Sequence, residues 1–90
     1  MTADRVALIE QRLRDEFSPS LLVVKDQSHL HQGHAGAQDG KGHFDVKIVS
    51  TNFDGKNRLA RHRMIYAALG PLMESDIHAL HINALSPAEV

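Results

Sequence analysis

Ninety residues with 42% hydrophobic and 23% charged side chains suffice for one domain around one modest core and are too few for two, and the composition is that of a globular chain rather than a disordered one. A net charge of −1 argues against binding nucleic acid by bulk electrostatics while leaving a local basic patch open. The absence of cysteine excludes a disulfide framework and any thiolate ligand of the chain's own, and the absence of a long apolar run or a signal-peptide core makes a cytoplasmic protein without a membrane span the expectation.

In chain order, Val6, Ile9, Leu13 and Phe17 share a narrow arc at 100° per residue, which predicts an amphipathic helix over Asp4 to Phe17, with Thr2 as candidate N-cap. Ser18-Pro19 stops it. Ser20 to Lys25 holds the short apolar run Leu21-Leu22-Val23-Val24, which reads as a strand. His43 to Thr51 alternates, with Phe44, Val46 and Ile48 on one face and Asp45 and Lys47 on the other, so a half-buried strand is expected. Phe53 to Asn57 is a turn, and Asn57 is the candidate N-cap of a second helix whose stripe is Leu59, His62, Ile65, Tyr66 and Leu69. Gly70-Pro71 ends that helix and opens a short third one ending near Ser75. Ile77 to Leu85 alternates as a last strand, with His78, Leu80 and Ile82 on one face and Ile77, Ala79 and His81 on the other.

The order helix, strand, strand, helix, short helix, strand predicts a single α+β domain over residues 1–90, a three-stranded sheet covered on one face by helices. The first two strands should pair antiparallel. The crossover through the second helix should make the second and third parallel.

Between the first two strands lies the stretch Gln27 to His43, with four of the seven histidines (His29, His31, His34, His43) and four glycines. Connections this long in a small domain are usually functional or disordered, and imidazole is a common metal ligand. The spacing of His29, His31 and His34 matches no closed zinc motif. His78, at the start of the last strand, is either a preorganised ligand or an ordinary edge histidine. His62 reads as a packing histidine and His81 as a solvated one. Lys56, Arg58, Arg61 and Arg63 form a basic run that is either a nucleic-acid surface or a solvated helix face. Nucleophile elbows, phosphate loops and paired carboxylates are lacking, so a binding protein without enzymatic activity is expected.

Phe53-x-Gly55, Arg61-His62-Arg63-Met64-Ile65-Tyr66, Ile77-His78-Ala79-Leu80 and Gly42-His43-Phe44 together closely resemble the BolA-like proteins over essentially the whole chain. The resemblance implies an αββααβ fold similar to the class II KH domain. It also implies a monothiol glutaredoxin partner with which a glutathione-dependent [2Fe-2S] cluster is shared, in iron–sulfur trafficking or iron-status regulation, and, for some members, DNA binding in transcription regulation. By the same resemblance His78 matches the family's C-terminal histidine, and Gly33-His34-Ala35 occupies the place of its loop ligand, making the chain a histidine-loop type. His34 and His78 are therefore the expected metal ligands, with His43 as a substitute for His34. Lys56, Arg58, Arg61 and Arg63 are the candidate DNA contacts, and the free protein is expected to be a monomer or weak dimer.

Overall fold

A computed structural model describes residues 5–27 and 42–90. Thr2, as candidate cap, and His29, His31 and His34, as candidate ligands, lie outside the described residues. The elements are α1 (Arg5–Phe17), β1 (Leu21–Asp26), β2 (Gly42–Val49), α2 (Arg58–Leu69), α3 (Leu72–Ser75) and β3 (Ile77–Leu85), with one-turn 3-10 segments at Thr51–Phe53 and Pro87–Glu89.

The sheet has the order β1-β2-β3, antiparallel between β1 and β2 and parallel between β2 and β3. β2 is therefore central, which suits its fully buried Val46 and Ile48. Its partner faces are built by period-2 alternation. Phe44, Val46, Ile48 and Ile82 meet Ile9, Leu13 and Phe17 of α1 and Ile65 and Leu69 of α2 in one core. Lys25, Asp45, Lys47, His81 and Asn83 lie on the other face. The helices thus cover one face of a three-stranded sheet, as the element order predicts.

Local chemistry sets the joints. Ser18 closes α1 with φ +43° and donates its backbone N–H to the Arg14 carbonyl at 3.0 Å, a left-handed helix end of the usual kind on a residue less suited to it than glycine. Ser50, buried at the end of β2, donates its hydroxyl to the Phe17 carbonyl at 2.7 Å and accepts from the Asn52 N–H at 3.2 Å. One hydroxyl therefore satisfies the last turn of α1 and starts the 3-10 turn that drives Phe53 into the core, where its ring stands 5.1 Å from that of Phe17. Asn57 caps α2 as expected, its side chain accepting from Ala60 N–H at 2.8 Å.

α2 differs from its predicted stripe. Ile65 and Leu69 are buried, but Leu59 and Tyr66 are 59% and 41% exposed. At 100° per residue Ile65 and Leu69 lie about 40° apart, whereas Leu59 is about 80° to 120° from them. The helix can seat only one of these arcs on the sheet, and it seats Ile65 and Leu69, with Met64 and Ala68 packed beside them.

Candidate functional site

The start of β3 departs from simple alternation. Gly42 pairs with Ile77, but the next residue of β2, His43, pairs with Ala79, so His78 is an extra residue in a β-bulge. Bulges re-aim side chains and are uncommon between parallel strands. The bulge corrects the predicted face of Ile77: instead of sharing the outer face with Ala79 and His81, Ile77 is 2% exposed and belongs to the core. Leu80 and Ile82 remain on the inner side, and His78, out of step with both, is exposed.

His43 sits on the outer face of β2 by strict alternation with Phe44. The bulge brings the two imidazoles together, ring centroids 5.1 Å apart and tilted by 50°. Both backbones are pinned close by. The Gln27 N–H donates to the His43 carbonyl at 2.7 Å and the Gly42 N–H to the Asp76 carbonyl at 2.9 Å. Asp76 is itself clamped, since the Ser75 hydroxyl donates to its Oδ2 at 2.7 Å and Arg5 Nε to its Oδ1 at 3.0 Å. Those two bonds, Ser75 foremost, hold its carboxyl below the usual carboxylate range. An open depression of about 560 Å³ adjoins, lined by Gln27, His43, Asp45, Ala79 and His81 among others. His81 is exposed as predicted and stands 3.0 Å from Asp45 Oδ1 through Nδ1.

The donor set defines what this place can hold. Two imidazoles are half of a four-coordinate ligand shell. Among the described residues no three His, Asp or Glu side chains gather to hold a metal ion. A pair of strand-borne histidines thus fits a metal or cluster whose remaining ligands come from another molecule, and does not make a closed site. The sequence named both residues but gave their pairing no signal through periodicity. The one clue was Ile77, an apolar residue out of phase with Leu80 and Ile82.

The basic run divides in the structure. Arg61 points inward, its side chain 11% exposed, and its guanidinium is engaged through Nε and Nη1. Nε donates to the Lys56 carbonyl at 2.8 Å, and Nη1 donates to the Ala84 carbonyl at 3.0 Å and to Glu89 Oε1 at 2.6 Å. The Ser86 backbone N–H, with Arg61 second, pulls the Glu89 carboxyl down from 4.5 to about 2. Lys56 and Arg58 line a groove of about 510 Å³ with Asn57, His62 and Asn83. His62 is a half-buried wall of that groove. Arg63 is exposed on the far side of α2, outside the groove.

No helix among the described residues is long and apolar enough to cross a membrane. Comparison with known proteins places this geometry. The chain is 39% identical over 89 residues to the chloroplastic protein BOLA1 of Arabidopsis thaliana, covering 96% of this chain but 56% of that protein, so it spans about half the length of that relative. It is 40% identical over 81 residues to the DNA-binding transcriptional regulator BolA of Escherichia coli, covering 90% of this chain and 74% of that one. The solved BolA domain of SufE1 from Arabidopsis thaliana superposes with a TM-score of 0.86 at 41% identity, with all of both chains covered. The family profile described as BolA-like protein matches residues 13–89, and the chain belongs to the BolA-like family.

Proposed function

We propose that this protein is an adaptor without catalytic chemistry of its own, which binds a monothiol glutaredoxin in the cytoplasm and lends histidine ligands to a glutathione-dependent [2Fe-2S] cluster held between them. Iron–sulfur trafficking or iron-status regulation is the matching role. The observation that carries the reading is the apposition of His43 and His78 across the bulge at 5.1 Å, in a chain with no cysteine. His78 is the fixed ligand. His34 of the connecting stretch, outside the described residues, is the second ligand of this reading, and His43, whose ring lies 5.1 Å from that of His78, is its substitute. Two imidazoles in place of two thiolates raise the potential of such a cluster, and both must be deprotonated to bind, so its retention falls in acid.

The test is anaerobic reconstitution with a monothiol glutaredoxin and glutathione, followed by visible absorption and circular dichroism. Wild type, His78→Ala, His43→Ala and His34→Ala are compared. The reading expects His78→Ala to lose or alter the cluster bands, and one of the other two variants to do the same, which identifies the second ligand. Wild-type spectra from all three variants would sink it.

A second reading is DNA binding, as in the name of the Escherichia coli relative, and the groove at the start of α2 supports it. Lys56 and Arg58 flank a helix N-terminus there, a place where phosphate is favoured. Arg61 is consumed by internal bonds and Arg63 lies outside the groove, so two cations remain. Release of about two counterions predicts a log–log salt slope of roughly −2. Binding that ignores salt, or that survives replacement of both Lys56 and Arg58 by alanine, removes this reading.

A further inference from the structure

The outer face of α2 is accounted for neither by the histidine pair nor by the groove. Leu59, Arg63 and Tyr66 stand on it at i, i+4 and i+7, and a helix aligns residues of that spacing along one side over roughly 10 Å. Leu59 is 59% and Tyr66 41% exposed, on a helix whose own core face is already satisfied by Ile65 and Leu69. From Gly55 to Met73 the sequence holds no acidic residue, while it holds Lys56, Arg58, Arg61 and Arg63. Of the flanking carboxylates, Asp54 lies in the turn before α2 and Glu74 in α3 beyond its end, both outside the span from Leu59 to Tyr66. Arg12 of α1 reaches the Gly70 end of α2. On α1, Glu10 is paired with Arg14 and Asp15 with Gln11. The only carboxylate brought to the helix from the end of the chain, among the described residues, is Glu89, and it is spent on the inward Arg61.

We propose that this face docks an acidic amphipathic segment of a protein partner, Leu59 and Tyr66 receiving its apolar side and Arg63, with Arg12 at the Gly70 end, its carboxylates. Tyrosine and arginine are the residue types that dominate the energetics of protein interfaces, and here Arg63 stands between two exposed apolar side chains, Leu59 and Tyr66, one turn to either side. Phosphates fit less well. Leu59 and Tyr66 give a nucleic-acid backbone little to bond, and Arg61 is turned to internal acceptors. A second copy of this chain seated face to face brings like charges together. The docking surface is independent of the histidine pair, which lies at the start of β3 on the opposite side of the sheet, so either can fail alone.

The experiment follows the backbone amides of the intact protein by NMR while a short helical peptide is added, with leucines on one side and glutamates flanking them. Shifts should concentrate at Leu59, Arg63 and Tyr66. Leu59→Ser and Arg63→Glu should each weaken binding about fivefold or more, with unchanged thermal midpoints because both side chains face solvent. Three results would overturn the proposal: no shifts on α2 at millimolar peptide, equal affinity for polyglutamate, or the same residues shifting more strongly with a DNA duplex. Sedimentation showing self-association that Leu59→Ser abolishes would assign the face to a second copy and overturn it as well.

Discussion

Arg61→Ala should destabilise the protein by more than any other substitution of a basic side chain on α2. The guanidinium bridges three elements: the turn before α2 through the Lys56 carbonyl at 2.8 Å, β3 through the Ala84 carbonyl at 3.0 Å, and the C-terminal turn through Glu89 at 2.6 Å. Hydrogen bonds from a charged donor contribute about 1.5 to 3 kcal/mol, and the lower end applies where an acceptor is reached by water. The Lys56 carbonyl belongs to an exposed residue and the Ala84 carbonyl to a half-buried one. Together their loss is worth on the order of 2 to 3 kcal/mol, with nothing added for the solvent-exposed Glu89 pair. Against a typical total of about 5 to 15 kcal/mol this is a large fraction, and for a domain of this size it lowers the thermal midpoint by roughly 8 to 24 °C. Arg61→Lys should recover little, because one ammonium cannot span three acceptors in a planar fork. Thermal and urea melts followed by far-ultraviolet circular dichroism provide the measurement. A loss below about 0.5 kcal/mol for Arg61→Ala, or full rescue by lysine, would refute the latch and return Arg61 to the set of solvent-facing cations.

Three further outcomes follow from the same geometry. Glu89 has its carboxyl lowered from 4.5 to about 2, so the stability it supplies is complete above 4.5 and lost as the pH falls through about 2. The midpoint gap between wild type and Glu89→Gln should therefore be constant near neutrality and vanish across that interval, and a gap that persists below it contradicts the assignment. Ser50→Ala leaves the Phe17 carbonyl without its 2.7 Å donor in a buried place, at about 1 to 3 kcal/mol, readable by denaturant melts at unchanged slope. Asp76→Asn weakens the tie to Arg5 at a part-exposed site, costing less than about 1 kcal/mol; hydrogen exchange should nonetheless quicken at the Gly42 amide, which bonds the Asp76 carbonyl. Unchanged exchange there would show that the bulge holds without the clamp.

The order and pairing of the elements were readable because they rest on local rules. Phe44, Val46 and Ile48 alternate, Ile9, Leu13 and Phe17 recur at helical spacing, and Asn57 carries the side chain a helix start requires. The parallel pairing of β2 with β3 follows from the length of the crossover. Periodicity failed where two faces competed for one surface, on α2, and where a single residue was inserted, at His78. On α2 no local trace is left, since Leu59 and Ile65 are both apolar, and in β3 the inserted residue leaves only Ile77, apolar and out of phase with Leu80 and Ile82.

The sequence by itself determined which chemistry is available: imidazole without thiolate, a basic run on a helix, and a fold with one covered sheet face. These depend only on which residues are present and on their periodicity. Tertiary structure alone decided how that chemistry is grouped. The bulge between Gly42 and His43 moved His78 beside His43, and the packing of α2 turned Arg61 into a tie to Ala84 and Glu89 while turning Leu59 and Tyr66 outward. Both decisions come from fitting a helix and a strand against the same core, a constraint that exists only once residues far apart in the chain are in contact.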